Sequence, residues 1–465
     1  MSAPATVRIA AFCIGLTGLA ALAASATAGA ASPAAGILRA GAARVELAPA
    51  APTARYDHEH VYIRAIVLDN GATRAALLGA DMGNLPEDVW QDASRRIAAE
   101  LNCPVENILM SATHTHSAFG RSDTGVQPPA DITPTASVML EAVRQAKAKL
   151  QPARMGYGTG MAYLNVNRDA IDTKTQLWTQ APNLRAVSDK TVAVLKFETP
   201  DGKPIAAYVN YAMHPVNGYL SGFVSGDYAG AMSRYVEQAY DDAMVAVFTQ
   251  GASGDQNPLH LRVSTNLMAS KGGVPVTGNV LIREPVEARI REGEVKPTSG
   301  DPRAIDRLKR WMEVQGAVLG EEVIRVMTDT TQLSADVRIA GAQKMVTCPG
   351  RMRTDKGREG TPGTYKDSDP VNLRLGVLGI GNVALASVNA EIYNLISQRL
   401  KKQSPLANTM MVTLANGRAD SGYVPDDASY SHNTFQVLGA RIKPGCAEQT
   451  IANGLADLIT RYQHP

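Results

Sequence analysis

The chain has 465 residues, 45% hydrophobic and 19% charged, which supplies a sizeable core and lies far from disordered or collagen-like compositions. Lys and Arg number 46 against 44 Asp and Glu, a net charge of +2 with no dense basic run among aromatics, which argues against nucleic acid as a partner. Its 4 cysteines include no C-x-x-C pair, so a thiolate zinc cluster is excluded and any bound metal needs histidine and oxygen ligands.

Arg8 precedes an apolar stretch over 9–24 and a run of small residues with Ala26-Thr27-Ala28 as an A-x-A cleavage site. Residues 1–30 therefore read as a secretory signal peptide, and the mature chain as exported, periplasmic or secreted. The stretch is too short for a membrane span, so no transmembrane segment is expected. Cys13 lies within it, which leaves Cys103, Cys348 and Cys446 for one disulfide at most and one free thiol. Residues 31–465 read as a single mixed α/β domain. Strands are predicted over 61–69 and 75–79 around the turn Asn70-Gly71, then a helix over 87–100, a strand over 107–112 and a helix over 136–150. Strands over 192–197 and 205–211 flank Asp201-Gly202, followed by a helix over 229–240 and a strand over 245–249. The polar, Gly- and Pro-rich run 260–303 predicts a long surface excursion. A helix over 304–327, strands over 330–339 and 373–388, the latter folded back at Gly381-Asn382, and a helix over 447–462 complete the chain, with no visible internal repeat.

Ser-Ala-Thr-His-Thr-His-Ser at 111–117 follows an apolar strand, and its histidines at i and i+2 would share a face at a strand end, where α/β folds keep their sites. They suit one metal, or one metal and one substrate contact; a hydrogen-bonded loop pair is the plainer reading. A second pair, His58 and His60, precedes its strand among charged residues and reads as surface. His214, before Pro215, also ends a strand, and 251–258 forms a small-residue loop after another. Glu391 follows a buried strand, where an unpaired carboxylate is expensive and either a metal or an arginine is the natural partner. Asp81 and Asp255, at strand ends, suit either loop capping or orientation of the histidines.

Together with Gly41-Ala42-Ala43-Arg44-Val45, Ala80-Asp81, Asn167-Arg168, Gly254-Asp255-x-x-Pro258 and Gly422-Tyr423-Val424-Pro425, these segments resemble the N-terminal catalytic domain of neutral/alkaline non-lysosomal ceramidases, as a divergent bacterial-type member. The resemblance implies a mixed-sheet α/β fold without the family's C-terminal β-sandwich, and a zinc-dependent amidase acting on a small-molecule or lipid-like acyl substrate. It also implies Zn2+ held by His114, His214, Glu391 and Tyr423, with His116 facing the substrate and Arg168 contacting it near the cleaved group. Two positions depart from the pattern. Asn257 stands where the family has its serine nucleophile, and Phe435 aligns with a family tyrosine that polarises the carbonyl, with Tyr430 as a neighbouring alternative.

The expected reaction is hydrolysis of an N-acyl bond in which zinc lowers the pKa of its bound water towards about 7, so that no side chain is needed as nucleophile. His116 would serve as acid/base or orient the substrate, while Arg168 and Asn257 would hydrogen-bond the carbonyl oxygen or the substrate's polar groups. An ester or lactone hydrolase would use the same polarised carbonyl. An exported ligand-binding homologue without catalysis is the alternative of another class. An amidohydrolase barrel would need an eightfold βα succession that the sequence lacks.

Overall fold

Gly71, Gly202 and Gly381, at φ of 80°, 87° and 59°, each close a two-stranded hairpin in the left-handed region that glycine enters freely. The computed structural model describes residues 37–47, 59–117, 134–219, 224–261, 263–265, 302–355 and 359–464. The signal-like segment, His58 and most of 260–303 lie outside them. The described residues belong to one compact unit.

The first sheet begins with β1 (Arg39–Glu46), β2 (Tyr62–Asp69) and β3 (Arg74–Ala80), joined antiparallel. Helix α1 (Glu87–Leu101) then crosses to β4 (Ile108–Ala112), which is parallel to β3. Helix α2 (Thr135–Ala148) covers β1 and β2, and β5 (Gln151–Pro152) pairs with β1.

The second sheet starts with β6 (Arg154–Met161), and β7 (Asn165–Ile171) and β8 (Trp178–Asn183) leave it as a separate hairpin. It resumes with the antiparallel pair β9 (Thr191–Glu198) and β10 (Pro204–Tyr211), crosses through α3 (Asp227–Ala239) and ends in β11 (Val245–Gln250), parallel to β10. Short β12 (Gln256–Pro258) pairs with β7, and α4 (Pro302–Asp329) packs on α3 and β6.

The third sheet repeats the order: β13 (Ile339–Arg353), β14 (Tyr365–Ile380) and β15 (Val383–Val388) run antiparallel. After the two-residue β16 (Glu391–Ile392), α5 (Asn394–Gln403) crosses to β17 (Asn408–Val412), parallel to β15. Then come β18 (Tyr423–Val424), parallel to β16, α6 (Phe435–Gly439) and α7 (Ala447–Gln463).

The same hairpin, helix and parallel strand therefore occur three times, a repeat that the sequence does not display. One core cluster draws Ile66, Leu77 and Leu109 from the first sheet, Leu195, Tyr208 and Val247 from the second, and Leu378, Leu385 and Met410 from the third. Three further clusters fill the space between each sheet and its helices. The ends of the parallel pairs meet: Ala112 N donates to Leu414 O (3.2 Å) and Thr413 N to Gln250 O (2.9 Å). Ligand sites of open α/β sheets form at such strand ends.

The structure changes one expectation, adds one strand and pairs two cysteines. Residues 330–338 form only isolated bridges, Ser334 to Met155 and Asp336 to Ile37, and the strand begins at Ile339 and runs to Arg353. Pro349 disguises it in the sequence, but a register shift between Cys348 and Gly350 absorbs the proline. Strand β6 hides behind Gly156, Gly158 and Gly160, which share one strand face; a Cβ there would come within 2.0–2.6 Å of Leu333, Thr330 and Glu322 side-chain atoms. Cysteine pairing, open in the sequence, is Cys348 with Cys446, tying β13 to the start of α7, and Cys103 is free. Among the described residues no helix is long and apolar enough to cross a membrane.

Candidate metal centre

His114 follows β4 with φ of 68°, a left-handed backbone that costs a histidine about 1–3 kcal/mol and persists where the surroundings impose it. The strand ends at Ala112, so this turn, and not strand alternation, brings the rings of His114 and His116 to 4.7 Å between centroids. His114 Nδ1 donates to Gly83 O at 2.5 Å, and His214 Nδ1 to Ser253 O at 2.8 Å. A carbonyl only accepts, so both Nδ1 atoms carry the proton and both Nε2 atoms present lone pairs. Asp81 and Asp255, which the sequence offers as histidine orienters, do not have that part: Asp81 binds Arg64 (3.2 Å) and Tyr62 N (2.9 Å), and Asp255 binds Asn167 and Asn394.

The lone pairs converge. His114 Nε2 lies 3.2 Å from His214 Nε2 and 3.3 Å from His116 Nε2. Glu391 adds Oε1 at 2.7 Å from His214 Nε2 and Oε2 at 3.3 Å from His114 Nε2. Ligand atoms at tetrahedral corners about 2.0–2.1 Å from a metal are ~3.3 Å apart, so the spacing fits a small divalent cation. Glu391 Oε1 is buried without a hydrogen-bond donor, an orphan that a cation would satisfy. The ligand atoms of His114, His116 and His214 all lie within 4.8 Å of one another, which makes these three a group able to hold a metal.

Burial, reinforced by the Arg168 charge, pushes the His214 imidazole down to about 4, so it stays neutral. Glu391 is held below the usual carboxylate range against its own burial. Neutral imidazole and ionised carboxylate are the forms that bind metal.

The parallel register of β16 and β18 sets Tyr423 directly beside Glu391. Its ring lies 6.4 Å from that of His214, and the Arg168 guanidinium sits over the ring at 5.5 Å from the centroid. Arg168 is buried on β7 and donates to Asn257 Oδ1 (3.1 Å) and Gly254 O (2.5 Å), with Glu391 Oε1 at 4.0 Å. Burial works against its charge, but Tyr423 and Glu391 prevail and raise its pKa. Asn257 Nδ2 is a buried donor without a partner. Gly254 is required by close approach: a Cβ there would lie 2.9 Å from Ile392 O and from the Tyr393 ring.

Ser253, four positions before Asn257, accepts from Gln250 Nε2 at 2.6 Å through its Oγ. Phe435 faces the Tyr423 ring at 5.9 Å, whereas Tyr430 turns away and donates to Ile442 O at 3.0 Å. His60 is exposed and pairs with Glu46 at 2.7 Å. Sequence reasoning missed the carbonyls of Gly83 and Ser253, which carry no side-chain signature, and Tyr219, whose ring meets that of His116 edge-on at 5.4 Å.

Asp255 ties this loop to the first residue of α5: it accepts from Asn394 N (2.9 Å), Asn394 Nδ2 (2.5 Å) and Asn167 Nδ2 (2.8 Å). Burial outweighs these donors and pushes its carboxyl up to about 7 from 3.8. Between those values the unfolded chain ionises while the folded one keeps the proton, so this contribution is full below about 4 and lost by about 7. Comparing Asp255→Asn with the parent by urea unfolding at pH 5 and pH 8 should remove about 3 kcal/mol of the parent's loss over that interval. Identical pH slopes in the two proteins would reject this assignment.

This fold is that of solved ceramidases. Residues 53–265 match the neutral/alkaline non-lysosomal ceramidase N-terminal family. The chain is 27% identical to Neutral ceramidase B of Dictyostelium discoideum over 170 residues, 33% of this chain but only 24% of that relative. A solved ceramidase complexed with C2 superposes with a TM-score of 0.67 at 16% identity, covering 92% of this chain and 75% of that one. Neutral ceramidase from Pseudomonas aeruginosa gives 0.66 at 15% identity with the same coverage. The resemblance read from the sequence therefore has a match in the family model over residues 53–265 and in the mixed α/β fold.

Proposed function

We propose that this protein is a zinc-dependent hydrolase of N-acyl bonds, exported through its N-terminal segment. One observation carries the reading: imidazole lone pairs and an ionised carboxylate converge at tetrahedral spacing with a buried oxygen left unpaired. His114, His214 and Glu391 would hold Zn2+, with Tyr423 beside Glu391. Zinc bound there would polarise the acyl carbonyl and lower the pKa of water. Asn257 has no nucleophilic atom, so water attacks, with His116 taking the proton and returning it to the leaving group. Arg168 and the unpartnered Asn257 Nδ2 hydrogen-bond the carbonyl oxygen as it gains charge. The Cys348–Cys446 bond supports an oxidising compartment.

The test is elemental analysis for zinc paired with hydrolysis of N-acyl, ester and lactone probes before and after chelation. One tightly held zinc, and amide hydrolysis that stops on chelation and returns with zinc, is expected. Faster ester or lactone turnover would change the bond assigned. Zinc with no turnover would favour the ligand-binding homologue, and no zinc would withdraw the centre.

The position of His116 invites a second reading, in which it is a ligand. His116→Ala is expected to keep its zinc and lose about 10²–10⁴ in kcat, the usual worth of an acid/base group. Loss of the zinc itself would make His116 a ligand instead.

A further inference from the structure

Next to Arg168 on β7 lies Asp169, at a point where the β7/β8 register shifts, and it reaches a different set of partners. Asp169 is only 3% exposed. Its Oδ2 accepts from His432 Nδ1 at 3.0 Å, with Tyr393 Oη at 3.4 Å, and Oδ1 has no partner. His432 stacks on Trp178 with centroids 3.6 Å apart and planes 19° from parallel. Indole and carboxylate thus fix the imidazole in plane and in rotation, while a fifth of its side chain, 20%, remains exposed.

A carboxylate only accepts, so Nδ1 carries the proton, and in the neutral ring Nε2 keeps a lone pair. With Nδ1 turned towards the buried Asp169, Nε2 is the ring's outward polar atom. The negative charge behind the ring strengthens it as an acceptor. The segment that bears His432 continues directly to the metal centre: Thr434 Oγ1 lies 3.4 Å from Tyr393 Oη, and Phe435 packs on Tyr423. A fixed acceptor one step out from the reacting centre, beside a planar aromatic wall, is a recognition element that the hydrolytic step does not use.

We propose that Trp178, His432 and Asp169 form a specificity subsite that binds a hydrogen-bond donor of the substrate, a hydroxyl or a primary ammonium, away from the cleaved bond. The substrate part of this inference rests on the hydrolase reading. Two trios of N-acyl amides test it, one varied at the far end of the amine portion and one at the far end of the acyl chain, each ending in hydroxyl, ammonium or methyl. In the zinc-loaded parent one trio should show about a tenfold higher kcat/KM for a donor-bearing member, the worth of one good hydrogen bond. Which of the two donors leads identifies the group.

In His432→Phe, which keeps a ring against Trp178, the ratio should collapse towards one, and Asp169→Asn should lower it partway. Melting temperature and zinc content establish that the variants are folded. No preference in either trio, or a preference that survives His432→Phe, overturns the subsite. If the parent turns over none of the six, the hydrolase reading fails separately. Tryptophan emission then decides the subsite: saturable change with ethanolamine or propylamine in the parent and none in His432→Phe supports it, and no change in the parent overturns it.

Discussion

Glu391→Gln is expected to lower zinc affinity by more than about a hundredfold and to abolish measurable turnover, because a ligand must outweigh the 10–100-fold worth of an outer partner. The side chain keeps its shape, so the loss isolates charge. Glu391 reaches both His214 and His114 and is the nearest anion to Arg168, at 4.0 Å. Removing one member of a buried charge pair costs about 3–5 kcal/mol, so the metal-free variant should also unfold earlier in urea than metal-free parent. The two readouts separate the roles. Full zinc content with reduced stability would make Glu391 a counter-ion to Arg168 alone. Unchanged stability with lost zinc would leave it a ligand that Arg168 does not need. Both effects together are expected, because the carboxylate is shared between the two cations.

Much of this arrangement was readable from residues. The turns at Asn70-Gly71, Asp201-Gly202 and Gly381-Asn382 were each marked by glycine, and each does close a hairpin of one repeat. The repeat itself was not readable, because only turn chemistry and apolar periodicity recur while the side chains differ. At the centre, His114, His116, His214, Glu391, Arg168 and Asn257 do come together, but the reason for the first two is a left-handed residue, not an alternating strand. Backbone conformation of that kind leaves no mark when the residue is histidine. Carboxylates at 81 and 255 stand out in a sequence and suit either loop capping or orientation, whereas the carbonyls of Gly83 and Ser253 that do the orienting belong to residues of any type. Asp255 instead holds α5, so its conspicuous charge serves the frame.

Arg168→Met is expected to cut kcat by about 10²–10³, the loss seen when one donor to a developing oxyanion is removed, while zinc content stays intact. The guanidinium lies 4.0 Å from Glu391 Oε1, the oxygen that also faces His214, and donates to Asn257 Oδ1 and Gly254 O. It therefore fixes the Asn257 amide with its Nδ2 free to donate, and two donors are lost with one substitution. Arg168→Lys discriminates this from a packing role. A single ammonium restores the charge beside Glu391 but cannot present a planar fork to Asn257 and Gly254 together. Urea unfolding of the lysine variant should recover most of the about 2–3 kcal/mol that the methionine variant loses, with kcat still depressed. Recovery of kcat along with stability would show that Arg168 acts through charge and packing alone. Loss of zinc in either variant would show that Glu391 needs Arg168 to stay in place, and the centre would have to be counted as one unit of metal, carboxylate and guanidinium.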